Sequence, residues 1–174
     1  MTDFTTGLER RPVNFAPLTP IDFIDRAAAV YGERLAVVHG GVRRTWRETY
    51  ARTRRMGSAL RARGIAKDDT VAVLLPNIPE MVEAHFGIPM AGAVLNTLNT
   101  RLDLATLQYM LRHGEAKALI ADTEYLSLVE EIRKVMPELL VIGVKDGSVD
   151  TPAVPAGWVD YDALLAEGDP NFAW

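Results

Sequence analysis

The chain of 174 residues contains no cysteine. Disulfides, thiolate metal sites and cysteine nucleophiles are therefore excluded. No apolar stretch approaches the roughly 18 uninterrupted residues that a membrane-spanning helix needs. The first residues, MTDFTTGLERR, carry an early acid and no apolar core, so they do not read as a secretory signal, and a cytoplasmic location is the expectation. With only three histidines, a catalytic zinc site would need ligands drawn from distant segments. Also missing are a GxxxxGK phosphate loop, a GxGxxG turn, an HExxH pair and a GxSxG nucleophile elbow. No recognised arrangement for nucleophilic, metal or hydride chemistry is present. No catalytic or metal-ligating residue is assigned.

What is present is the composition of an α/β protein, with 48% hydrophobic and 24% charged residues and enough length for one domain with a core. The formal net charge of −4 argues against a dedicated nucleic-acid binder. Eight arginines lie between Arg43 and Arg63 against one acid, Glu48, whereas the chain after Gly114 is acidic. These arginines are spread around a helix. They read as a solvated outer face whose aliphatic stems cover the sheet, in preference to a phosphate or nucleic-acid face.

Residues up to about Pro17 show no periodicity and are expected to wrap over the surface, leaving 1–18 as a surface segment and 19–174 as one α/β unit. Thr19-Pro20 opens a helix with Ile21, Ile24, Ala27, Ala28 and Tyr31 at helical spacing. LAVVH and VRRTW flank Gly40-Gly41 as a hairpin. Thr45 caps a helix from Trp46 to about Arg63, with Trp46, Tyr50, Thr53, Gly57 and Leu60 as its buried stripe. Strand Thr70–Pro76 is apolar throughout and reads as buried on both faces. The helix from Pro79 carries Met81, Val82, His85 and Phe86, and Pro89 predicts a kink or an early end. Ala93–Thr97 is a strand, Asp103 caps a helix ending near Gly114, and Ala116–Asp122 is a strand. Thr123 caps a helix reaching about Val135, Glu138–Val144 is a strand, and a loop over 145–157 precedes a short helix at Tyr161–Leu165. Strands alternating with helices imply a mostly parallel sheet with helices on both faces, and an N-terminal hairpin at one edge.

Ligands of open parallel sheets bind beyond the carboxyl ends of the strands. Asn77 follows one strand there, and Asn96, Thr97, Asn99, Thr100 and Arg101 follow another. Turn chemistry competes as an explanation for the asparagines, and outweighs ligand contact for Asn77. It does not explain Arg101. His85 lies in an apolar helical stretch and reads as a core or interface histidine before a pocket residue. His39 and His113 read as structural.

The run LTPIDFIDRAAAVYGERLAVVHGGVRRTWRETYARTRRMGSALRARGIAKDDTVAVLLPNIPEMVEAHFGIPMAGAVLNTLNTRL, continued by HGEAKALIADTEY, resembles the N-terminal part of the adenylate-forming acyl-CoA synthetases, especially their medium-chain fatty-acyl and aryl-CoA ligase branch. The landmarks are ordered: T-W before a helix ending in L-x-x-x-G, then G-x-x-x-x-D-x-V-A-x-x-x-P-N, A-G-A and N-T-x-N-x-R-L. The resemblance implies the first α/β subdomain of a large AMP-binding domain. It also implies a parent enzyme that joins a carboxylic acid, ATP and coenzyme A with magnesium, through an acyl-adenylate, to a thioester. The family's phosphate loop ending in P-K-G, its Thr-Glu pair, its ribose-binding Asp, its Arg and its lid Lys have no counterpart in this sequence. The chain is accordingly expected to be a piece cut before that loop, inert by itself and without a bound cofactor. On this reading Asn96, Thr97, Asn99, Arg101 and His85 remain as ligand-proximal candidates. Two rivals are a stand-alone nucleotide- or acyl-binding module and a non-catalytic interaction domain that self-associates through apolar surface.

Overall fold

The computed structural model describes Gly7 and residues 9–174. The part of the expected surface segment over 1–6 and 8 lies outside the described residues; residues 9–18 carry no helix or strand and are largely exposed.

The elements follow from local chemistry. Helix α1 (Pro20–Tyr31) starts at Thr19, whose side chain forms a capping box with Asp22. Strands β1 (Leu35–His39) and β2 (Val42–Thr45) form an antiparallel hairpin across Gly40-Gly41, and Gly40 supplies the positive φ of 51° that the tight turn requires. Thr45 and Glu48 make the same reciprocal box at the start of α2 (Trp46–Ala62).

Strand β3 (Thr70–Leu74) is followed by α3 (Pro79–Met90) and β4 (Val94–Thr97). Helix α3 continues through Pro89 and ends one residue later, at Met90. Asp103 caps α4 (Leu104–His113) by accepting the Thr106 N–H at 2.9 Å. Strand β5 (Ala116–Asp122) runs into a 3-10 turn (Thr123–Tyr125) and α5 (Leu126–Val135). The cap there is Asp122, one residue before the expected Thr123: its carboxylate accepts the Glu124 N–H at 2.7 Å. Strand β6 (Leu140–Val144), a two-residue strand β7 (Val159–Asp160) and α6 (Tyr161–Glu167) complete the chain. Strand β7 is too short to leave a periodic signal in the sequence.

The central sheet is parallel throughout, in the order β4-β3-β5-β6-β7. Alternate side chains divide the core. Val71, Val73, Ala118 and Ile120 face α2, α3 and α6, whereas Ala72, Leu74, Leu119 and Ala121 face α4 and α5. The hairpin forms its own two-stranded sheet and packs against α2 and α3, with no hydrogen bonds to the central sheet.

Helices α2 and α3 cross where side chains are smallest. A Cβ on Gly57 would lie 3.1 Å from Met90 Cβ, and one on Gly87 would lie 2.8 Å from Met56 Cβ. This crossing fixes the face that α3 buries: Glu83, Ala84, Gly87 and Ile88, with Met81 and Phe86 half-buried. The stripe expected from Met81, Val82, His85 and Phe86 is corrected accordingly. Val82 and His85 are exposed, because glycine packing sets the helix rotation more strongly than the larger apolar side chains do.

Candidate functional site

The chain progresses from β3 outward to β4 and then resumes on the other side of β3 with β5. Such a reversal opens a crevice beyond the carboxyl ends of the two strands, here β3 and β5, where Asn77 lies after β3 and Asp122 ends β5.

Beside this crevice the hairpin folds over the start of α3. Val37, Val38, His39, Asn77, Ile78 and Val82 are among the residues lining a groove of about 420 Å³ there. The hairpin tip is latched to the loop after β6. His39 Nε2 lies 3.3 Å from Asp146 Oδ1 and 3.2 Å from Ser148 Oγ, while Asp146 accepts the Ser148 N–H at 2.8 Å. Burial opposes ionisation of Asp146, but the Ser148 hydrogen bonds and the His39 contact outweigh it and hold its carboxyl below the usual carboxylate range. Asp122 is pushed the other way. Burial raises it, the neighbouring Asp146 and Glu124 charges add to the rise, and the hydrogen bond from Glu124 N–H opposes it.

The polar cluster after β4 is split by its local geometry. Asn99 Oδ1 accepts the Arg101 N–H at 2.9 Å, the turn chemistry anticipated for this run. Thr97, Asn99 and Arg101 are exposed. Asn96 is half-buried with its amide against Gly114, at the end of α4. His85 sits on the exposed side of α3, its Nδ1 2.7 Å from the Met81 carbonyl. It is neither a core histidine nor a lining residue of the groove.

Two further arrangements escaped the sequence reading. Glu83, fully buried in α3, takes Arg44 at 2.7 Å and Arg52 at 2.6 Å on Oε1 and the Tyr161 hydroxyl at 2.7 Å on Oε2. Arg52 also bonds Asp162 at 2.9 Å. Burial works against the charge on Arg52, yet the Glu83 carboxylate holds it firmly protonated, and burial with the same carboxylate drives the Tyr161 phenol well up. Glu80, next to Arg44, is raised by burial.

The second arrangement is a strap. Arg54 Nε donates to the Phe172 carbonyl at 2.9 Å, Arg55 donates to Gly168 O at 2.9 Å, and Arg63 pairs with Glu167 at 2.8 Å. The expected solvated arginine face is thus corrected. Arg44 and Arg52 neutralise a buried acid, and three others hold the end of α6 and the chain after it, because guanidinium groups reach carbonyls and carboxylates that sequence spacing does not reveal. Among the described residues no three His, Cys, Asp or Glu side chains form a group that could hold a metal ion.

Against known proteins, a family profile described as AMP-binding enzyme matches residues 24–169. The peroxisomal acetate/butyrate–CoA ligase of Arabidopsis thaliana is 42% identical over 179 residues, covering 96% of this chain and 32% of that protein. The peroxisomal trans-cinnamate:CoA ligase of Petunia hybrida is 39% identical over 177 residues, covering 92% of this chain and 30% of that protein. The chain therefore spans about a third of the length of these relatives. A putative long-chain-fatty-acid CoA ligase from Rhodopseudomonas palustris superposes with a TM-score of 0.74 at 28% identity, covering 84% of this chain and 36% of that one. The anthranilate CoA ligase AuaEII, in complex with anthranoyl-AMP, shares the fold with a TM-score of 0.80 at 24% identity, covering 87% and 28%. The parallel sheet, the hairpin and the match over residues 24–169 make the chain a member of the AMP-binding enzyme family.

Proposed function

We propose that this chain is part of a ligase that converts a carboxylic acid to its coenzyme A thioester with ATP and magnesium, through an acyl-adenylate. The observation that carries this reading is the 42% identity to a CoA ligase across 96% of the chain. The residues present do not by themselves fit a magnesium–nucleotide group. The sequence has no glycine-rich phosphate loop, and among the described residues no three His, Cys, Asp or Glu side chains form a group that could hold a metal ion. The chain's own part is scaffold. It supplies a rigid sheet and the turn with Thr97, Asn99 and Arg101, its best candidates for ligand contact. A cytoplasmic location belongs to the same proposal.

Exchange of the corresponding segment of the Arabidopsis ligase for this chain tests the assignment. The hybrid should form acyl-CoA from acetate or butyrate, and a folded hybrid without activity would overturn it. The chain alone should release no pyrophosphate from ATP, magnesium and a panel of acids. Turnover above background would refute its inertness.

A second reading, self-association, is supported by exposed Leu35 and Val38 on β1 and Val94 on β4, strands with unpaired edges among the described residues. Sedimentation velocity over a wide concentration range should show a growing oligomer. A single monomer boundary throughout would sink this reading.

A further inference from the structure

Strands β1 and β2 are the only described elements that add no side chain to a hydrophobic cluster. None of their residues is buried, and they form no ladder with the central sheet. Elements with so little buried apolar surface open at low cost in free energy while the rest of a protein stays folded.

The hairpin is fastened at two places, its base and its tip. At the base the Trp46 N–H donates to the Arg34 carbonyl and the Arg47 N–H to the Gly32 carbonyl, each at 3.0 Å. Arg44, the last residue but one of β2, is anchored on buried Glu83 at 2.7 Å. The ladder slips beside it, with Leu35 facing Thr45 and Val37 facing Arg44. Ala36 is therefore an extra residue of the kind that bends a strand.

Beyond this base, residues 37–43 hydrogen-bond to the rest of the described chain only through His39. Its Nε2 lies 3.3 Å from both carboxylate oxygens of Asp146 and 3.2 Å from Ser148 Oγ. The Ser148 hydroxyl in turn donates to Asp146 Oδ2 at 2.9 Å. Arg43, by contrast, spends its donors on the Gly40 and Val42 carbonyls of the hairpin itself. Under this span lies the groove of about 420 Å³. Val37, Val38 and His39 line it from the hairpin, and Asn77, Ile78 and Met81 line it from the chain that leads from β3 into α3.

We propose that residues 37–43 are a lid, hinged at Ala36 and Arg44 and caught by His39 on Asp146 and Ser148, whose release uncovers the groove beside the end of β3. A firm base, a single catch at the tip and no share in the core are what such a flap requires. The lid does not rest on the ligase reading, and its test uses no ligase activity.

The chain has no cysteine, so one introduced thiol reports opening. Ile78→Cys places it in the groove, at a residue 4% exposed, and Ala118→Cys places it in central strand β5, at a residue fully buried. The rate of labelling by a maleimide is followed in native buffer and in low urea. The thiol at position 78 should react faster than the one at 118. Its rate should also rise far less with urea, because opening a lid exposes little surface and global unfolding exposes much. Adding His39→Ala should speed labelling at position 78 roughly ten- to hundredfold, the range that one hydrogen bond to a charged group supplies. Ser148→Ala should act in the same direction by a smaller factor. Pro79→Cys, also buried and in the groove wall, gives the same readout should Ile78→Cys fail to fold. Equal rates and equal urea dependence at 78 and 118, or labelling in the groove that His39→Ala leaves unchanged, would each overturn the lid.

Discussion

The Tyr161 hydroxyl donates to Oε2 of Glu83 across 2.7 Å, both groups are buried, and the bond joins α6 to α3 over 78 positions of sequence. On its other oxygen Glu83 binds Arg44 from β2 and Arg52 from α2, so one carboxylate ties four elements together.

Removing that carboxylate takes from two poorly solvated guanidinium groups the buried acid they share, leaving Arg52 only Asp162 and Arg44 only Glu80. Glu83→Ala should cost about 3 to 5 kcal/mol. Tyr161→Phe, which strips one hydrogen bond from a buried acceptor, should cost about 1 to 3 kcal/mol. Urea unfolding of both single variants and the double variant measures this. Additive losses would show that the two residues do not act as a unit.

The crossing of α2 and α3 gives an ordered pair of expectations. A methyl on Gly87 meets Met56 Sδ at 2.6 Å and Cβ at 2.8 Å, while one on Gly57 meets Met90 Cβ at 3.1 Å. Alanine gains about 1 kcal/mol in helix propensity over glycine, and overpacking costs about 1 to 3 kcal/mol. Gly87→Ala should therefore destabilise more than Gly57→Ala, and shortening Met56 should relieve part of the Gly87→Ala loss. The midpoints of chemical unfolding decide the order.

Acid should weaken the hairpin latch. The folded carboxyl of Asp146 lies below its ordinary value near 3.8, so its contribution is present above that pH and is lost as pH falls through the folded pKa. Asp22, Glu48 and Asp103, each lowered first by a backbone N–H, act in the same direction. Asp122, being raised, has the opposite sign: its cost builds as pH climbs from the unfolded value through the folded one. The stability difference between the chain and Asp146→Asn should be full at pH 6 and shrink below about pH 4. A pH-independent difference would remove the latch from this account.

The strap after α6 depends on an absent side chain. A Cβ at Gly168 would collide with the Arg55 carbonyl oxygen, a backbone atom that no rotamer change moves aside. Gly168→Ala should lift residues 168–174 from α2, break the 3.2 Å bond from Trp174 Nε1 to the Tyr50 hydroxyl and shift the tryptophan emission. Limited proteolysis should then cut after α6, and unchanged emission and cleavage would count against the strap.

Interactions that span a few residues were legible without a structure. The capping residues Thr19, Thr45 and Asp103 act on backbone groups three positions away, and hydrophobic period alone separated the central strands from the helices. The alternation of strand and helix then specified a parallel sheet, because a crossover of that length returns the chain in the same direction. The ordered landmarks from Thr45-Trp46 to Arg101-Leu102 carried the family.

Only the tertiary structure decided which partners distant residues find. Glu83 reads in sequence as one more surface acid on an amphipathic helix, and its burial follows from a rotation of α3 imposed by Gly57 and Gly87 on two different helices. The same rotation turned His85 outward and Val82 with it. Arg52, Arg54 and Arg55 found acceptors 31 to 118 positions away, distances over which periodicity carries no information. Local hydrogen bonding and hydrophobic period determine which elements form. The packing of small residues and the compensation of buried charge determine how those elements meet.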